Sequence, residues 1–132
     1  MSKQRVQSGS PYEAQFGYCR AVRAGDRIFV AGTAPIGPGG ETVGVGDPEA
    51  QARRCLRVIG EALEGLGAGM EDVVRTRLYL TRREDWEAVA RVHGEVFGSI
   101  RPVCTLVVVA GLLDEAWRVE IEAEAVVDQK IQ

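Results

Sequence analysis

A chain of 132 residues, 45% hydrophobic and 27% charged, has the size and make-up of one globular domain spanning 1–132. Its 19 acidic and 16 basic side chains leave a net charge of −3, and the basic residues are scattered among the acidic ones, which speaks against nucleic acid as a partner. No apolar run reaches membrane-spanning length and the first residues lack the apolar core of a signal peptide, so no membrane partner and a cytoplasmic location are expected. Three widely spaced cysteines (Cys19, Cys55, Cys104) and a single histidine point to free thiols in a reducing compartment, with no metal and no cofactor.

Residues 1–17 are polar and carry Gly9, Pro11 and Gly17, which predicts an irregular N-terminal arm. A short strand over 19–24, a Gly25-Asp26 turn and a second strand over 27–33 form a hairpin that Pro35 stops. Five glycines and Pro38 make 36–47 a surface loop; no GxxxxGK[ST] pattern makes it a phosphate loop. Asp47-Pro48-Glu49 opens a helix, with Asp as N-cap and Pro at the first helical position. Ala52, Cys55, Leu56, Ile59, Leu63 and Leu66 then recur at helical spacing, which places Cys55 in the core.

A strand follows over 73–81. Simple alternation puts Val74, Thr76, Leu78 and Leu80 on one face and Val73, Arg75, Arg77 and Tyr79 on the other. A second helix over 83–97 carries Trp86, Val89, Ala90, His93, Val96 and Phe97 along one stripe, so His93 is expected to be packed and hydrogen-bonded. The run from Val103 to Val109, bounded by Pro102 and Gly111, reads as a strand buried on both faces. The last strand alternates strictly: Val119, Ile121, Ala123 and Ala125 point one way, Glu120, Glu122 and Glu124 the other.

The order β-β-α-β-α-β-β predicts an α+β fold with both helices on one face of a mixed sheet. The opposite face then carries Arg75, Arg77, Tyr79 and the three glutamates. Water could cover it, or another copy of the chain, with Arg and Glu pairing near the interface. The doubly apolar strand at 103–109 favours the second.

Five segments in this order resemble the Rid family of reactive intermediate deaminases (RidA/YjgF-like). They are Tyr18 with Gly25-Asp26-Arg27; Val30-Ala31-Gly32-Thr33-Ala34-Pro35; Asp72-Val73-Val74-Arg75-Thr76; Pro102 to Leu112; and Val119-Glu120-Ile121-Glu122-Ala123. The resemblance spans about 16–127. It implies a chorismate-mutase-like fold and a homotrimeric barrel with sheets inside and helices outside. Small metabolites, anionic ones in particular, would bind in clefts between subunits. Active members hydrolyse enamines and imines such as 2-aminoacrylate to keto acids and ammonia. By the resemblance, Glu120 positions or activates water, Gly32 offers its backbone to a ligand, and Tyr18 is the aromatic at the cleft edge.

The family's carboxylate-clamping Arg, two positions after the motif Pro, is here Cys104, and Ala90 stands where deaminase-type members carry Asn. The chain therefore resembles a subgroup lacking the clamp. Arg20, two residues after Tyr18, is the preferred substitute anion-binding residue, and Arg101 the other candidate. Cys104 reads as a small hydrophobe in the cleft before it reads as a nucleophile. The expected function is a metabolite-binding trimer without the standard Arg. The alternative is a weak or divergent enamine/imine deaminase using Glu120. Endoribonuclease activity, attributed to some members, fits the acidic balance least.

Overall fold

The structure, a computed structural model, describes residues 2–128. Six strands form one mixed sheet: β1 (Lys3–Val6), β2 (Ala21–Ala24), β3 (Arg27–Thr33), β4 (Val73–Leu80), β5 (Val103–Val108) and β6 (Val119–Val126), in the order β1-β2-β3-β6-β4-β5. All neighbours are antiparallel except β4 and β5, which run parallel. That parallel pair requires a crossover, supplied by helix α3 (Trp86–Phe97). A six-residue helix α1 (Pro11–Phe16) precedes β2, and the long helix α2 (Pro48–Gly65) packs across β3 and β6 and beside α3. Among the described residues no helix is long and apolar enough to cross a membrane.

The core lies between one sheet face and the two long helices. Ile28, Leu78, Leu80, Val119 and Ile121 from the sheet meet Cys55, Ile59 and Leu63 of α2 and Val89 and Val92 of α3, all buried. Asp47 caps α2 as its spacing predicts, its side chain accepting from the Ala50 N–H at 3.1 Å. The stripe of α3 turns slightly from the expected one: Val92 is buried while Trp86 is 49% exposed. The reason is that Arg83–Asp85 forms a separate 3-10 turn rather than the helix's first turn.

Three sequence expectations are corrected. The arm is not irregular: β1 pairs with β2, and α1 is capped at both ends. The Ser10 hydroxyl accepts from the Tyr12 N–H, Pro11 occupies the first turn, and Gly17 closes the helix in the left-handed region at φ 79°. Glu13, in the first turn and buried, accepts from both the N–H and the hydroxyl of Ser8.

Second, β4 does not alternate uniformly. A bulge between Val73 and Arg75 sets two residues of β4 against one of β6, so Val73 enters the core and Val74 faces out.

Third, β5 is an edge strand, not a buried one. Val103, Val107 and Val108 are 59%, 41% and 47% exposed, on both faces.

Candidate functional site

The uncovered sheet face is built by cross-strand register between β4 and β6. Arg75 lies opposite Glu124, Arg77 opposite Glu122 and Tyr79 opposite Glu120. Arg77 Nη1 bridges Glu122 and Glu124, both at 3.4 Å, and Arg75 Nε stands 3.7 Å from Glu124. The Tyr79 hydroxyl donates to Glu122 Oε1, and the loss of that bond on ionisation holds the phenol above its ordinary range. These pairs are part-exposed, so each contributes little to stability. Their effect is to hold the Glu122 and Glu124 side chains in place.

Glu120 differs from its two neighbours. Among the described residues it takes part in none of these bonds, and it is half-buried at the start of β6. Burial pushes its carboxyl above the ordinary carboxylate range. The positive charge of Arg20 opposes that shift, and the negative charge of Glu122 adds to it.

The carboxylate rests against Gly32: a Cβ on that glycine would lie 2.9 Å from Glu120 Oε1. Arg20, just before β2, donates from Nη2 to the Gly32 carbonyl at 2.8 Å, and its Nε is buried without a partner. The structure therefore brings together Arg20, Gly32 and Glu120, which are far apart in sequence.

The start of β6 is pinned from behind. Gln51, fully buried on α2, donates to the carbonyls of Gly44 and Ala116 and accepts from the Arg118 N–H at 2.7 Å. Arg118 in turn bonds Asp85 and the Gly46 carbonyl. Glu120 thus leaves a clamped backbone two residues later. Sequence reasoning missed this hub. Its one visible signal is a Gln on the apolar face of α2, where a core side chain is due.

Tyr18 is 45% exposed and separates two shallow hollows. One, of about 390 Å³, is lined by Tyr18, Val22, Phe29, Arg77, Glu122 and Glu124; the other, of about 350 Å³, by Arg5, Gln7, Glu13, Tyr18 and Cys19.

Cys104 lies elsewhere. It pairs in parallel register with Thr76, which is buried on the helix-covered face, so the thiol projects on that side while Glu120 projects on the other. Within one chain they also sit two strands apart. Cys104 is exposed, and Cys19 and Cys55 are free thiols as well. Burial raises the Cys55 thiol far above its ordinary range, so it stays protonated.

His93 is packed and hydrogen-bonded, as its stripe predicts: Nε2 meets Thr76 Oγ1 at 2.8 Å and the ring stands 4.6 Å from that of Phe97. Arg101 is exposed at φ 60°, its N–H bonded to the Phe97 carbonyl at the end of α3. Among the described residues no three His, Cys, Asp or Glu side chains converge to hold a metal.

The family model for endoribonuclease L-PSP matches residues 9–127. An uncharacterized protein of Streptomyces coelicolor is 48% identical over 121 residues, covering 92% of this chain and 90% of that protein. The crystal structure of a Mycobacterium tuberculosis member of the YjgF/YER057c/UK114 family superposes with a TM-score of 0.87 at 45% identity, covering 96% of this chain and all of the other. The 3-aminoacrylate deaminase RutC of Acinetobacter baylyi is 32% identical over 85 residues, 64% of this chain and 68% of that enzyme. The six-stranded sheet with its two long helices on one face is the chorismate-mutase-like fold of such structures. The chain belongs to the endoribonuclease L-PSP family, also known as the YjgF/YER057c/UK114 or Rid family.

Proposed function

We propose that this chain binds a small metabolite in clefts formed between copies of itself, in a homotrimer, without the guanidinium clamp of the deaminating members. The observation that carries this reading is β5. Its valines are exposed on both faces at the sheet's edge, beside an open face lined by Phe29, Tyr79 and the Arg–Glu pairs. A second copy lying there covers the valines and brings a Cys104 toward another copy's Glu120, which no single chain does. Tyr18 and Gly32 belong to the same wall.

With Cys104 where the resemblance implies Arg, the cleft lacks one charged bidentate contact. Such a contact contributes roughly 2–5 kcal/mol, about 30-fold to several thousand-fold in affinity. A carboxylate ligand is therefore held loosely.

A second reading, enamine or imine hydrolysis, draws support from Glu120. A carboxyl raised by burial is better matched to proton transfer near neutral pH than an exposed one. In that reaction an enamine first tautomerises to the imine, and water adds to the C=N carbon while Glu120 passes a proton from the water to the nitrogen. Glu120 then takes the hydroxyl proton of the carbinolamine and gives it to the nitrogen as the C–N bond breaks, which leaves the keto acid and ammonia. The relative named as a 3-aminoacrylate deaminase fits this chemistry.

Two measurements test these readings. Light scattering during gel filtration reads the assembly, and a monomer at micromolar concentration overturns the shared-cleft reading. Hydrolysis of 2-aminoacrylate, generated in situ by a dehydratase, separates binder from hydrolase. Turnover abolished by Glu120→Gln supports the hydrolase, whereas an inert wild type with ligand-dependent thermal stabilisation supports the binder.

A further inference from the structure

The corner formed by Arg20, Gly32 and Glu120 depends on a sheet irregularity. Between Val30 and Thr33, β3 holds one residue more than β6, so Ala31 and Gly32 together stand opposite Glu122. A bulge of this kind leaves one residue out of the ladder and tilts the strand. The Gly32 carbonyl is taken up by Arg20 Nη2.

Arg20 is itself fixed by its backbone. Its N–H donates to the Val6 carbonyl at 2.9 Å, and its carbonyl accepts from the Ala31 N–H at 2.9 Å. The guanidinium thus closes a short loop onto the residue after its own backbone partner. On the far side, Glu120 Oε1 occupies the space that a Gly32 side chain would fill. Arg20 Nε, buried and unpartnered, is a costly group to keep. A guanidinium placed there solely to hold a carbonyl could be replaced by a neutral donor at lower cost. Its charge therefore has a further use, and the nearby charge with no other partner is that of Glu120.

We propose that Arg20 is the positioning residue of Glu120: it fixes the Gly32 bulge on which the carboxylate rests and sets a positive charge behind it, inside the wall, instead of clamping a ligand itself. This rests on the reading of Glu120 as the ligand-facing carboxylate of the cleft. The charged groups that act on Glu120 are Arg20 and Glu122 on its own strand, and Tyr79 stands across the ladder from it. Of these, Arg20 alone is positively charged.

The test is a ¹³C NMR titration of the glutamate carboxyls in the unliganded protein, with the Glu120 resonance assigned by its loss in Glu120→Gln. The expected result is a Glu120 midpoint raised by about one pH unit in Arg20→Ala and in Arg20→Gln, which keeps a neutral donor. Arg20→Lys, which keeps the charge, returns the midpoint close to that of wild type. If Arg20→Ala does not fold, the Gln and Lys variants make the same comparison. A midpoint unmoved in Arg20→Gln, or equal in the Gln and Lys variants, overturns the proposal. Because no ligand is present, the titration is independent of the metabolite reading. Failure to bind any keto acid overturns that reading and leaves the midpoint comparison intact.

Discussion

Asp85 and Arg118 close on each other as a fork: Nε donates to Oδ2 at 2.9 Å and Nη2 to Oδ1 at 2.6 Å, with the Asp85 side chain 5% and the Arg118 side chain 17% exposed. This pair ties the turn before α3 to the residue before β6. Removing one partner leaves the other charge in a nearly dry place. Asp85→Ala is expected to cost about 3 kcal/mol, read as a lower urea midpoint with unchanged slope. A loss in the range of an exposed pair, below about 1 kcal/mol, would show that water reaches the guanidinium.

Cys104→Arg tests the missing clamp. If the cleft is otherwise a carboxylate site, restoring a bidentate guanidinium tightens binding of a keto acid by at least about 30-fold, measured by calorimetry. Because Cys104 lies on the edge strand that the proposed assembly covers, light scattering on the variant must first show the same assembly as wild type. Equal affinity in the two proteins would place the ligand's carboxylate away from residue 104.

Glu120 makes stability depend on pH in a stated direction. Its folded-state value is raised above 4.5, so the folded state holds its proton more tightly than the unfolded state. Stability is full below the unfolded value and is lost as pH rises through the folded value. Glu120→Gln removes this dependence, so the variant gains on wild type as pH rises from about 4 upward. Denaturant melts at several pH values check it, and a constant difference would mean that burial does not perturb the carboxyl.

His93 acts in the opposite sense. Burial lowers its value below 6.5, so the folded state resists protonation. Its contribution is complete above 6.5 and is lost as pH falls below that value. A His93→Gln variant should therefore show a flatter stability profile on the acid side of 6.5. The same steepness in both proteins would mean the ring protonates equally in the folded and unfolded states.

Local pattern made part of this fold legible. The eighteen-residue α2 and the alternating β6 announce themselves because each repeats its period several times. Helix α1, at six residues, has under two turns and no visible period, although Ser10, Pro11, Glu13 and Gly17 spell out its caps. The Val73 and Gly32 bulges are slips between partners, and one strand's alternation cannot show a slip until its neighbour is known. In the site, the type of Glu120 and its strand face were legible from alternation. Its closeness to Arg20 and Gly32 was not, because long-range pairing creates it. The apolar run at 103–108 carried the wish for cover but not its source. A strand buried in the middle of a sheet and one left bare at an edge have the same composition.

That bare edge has a cost before any assembly forms. From Val103 to Leu113 the chain has no charged side chain, and its first six residues are β-branched or apolar apart from one thiol. A strand of this kind, with open backbone groups on one side, templates cross-β stacking with identical strands. Arg101 and Pro102 on one flank and Asp114 and Glu115 on the other act as gatekeepers, confining the hazard to a short window. If copies dock as proposed, the newly made chain faces a race between ordered docking and aggregation, and concentration speeds both. Charges introduced into β5 to slow aggregation would slow the proposed docking as well, so on that reading the solubility of the free chain is not tuned apart from assembly.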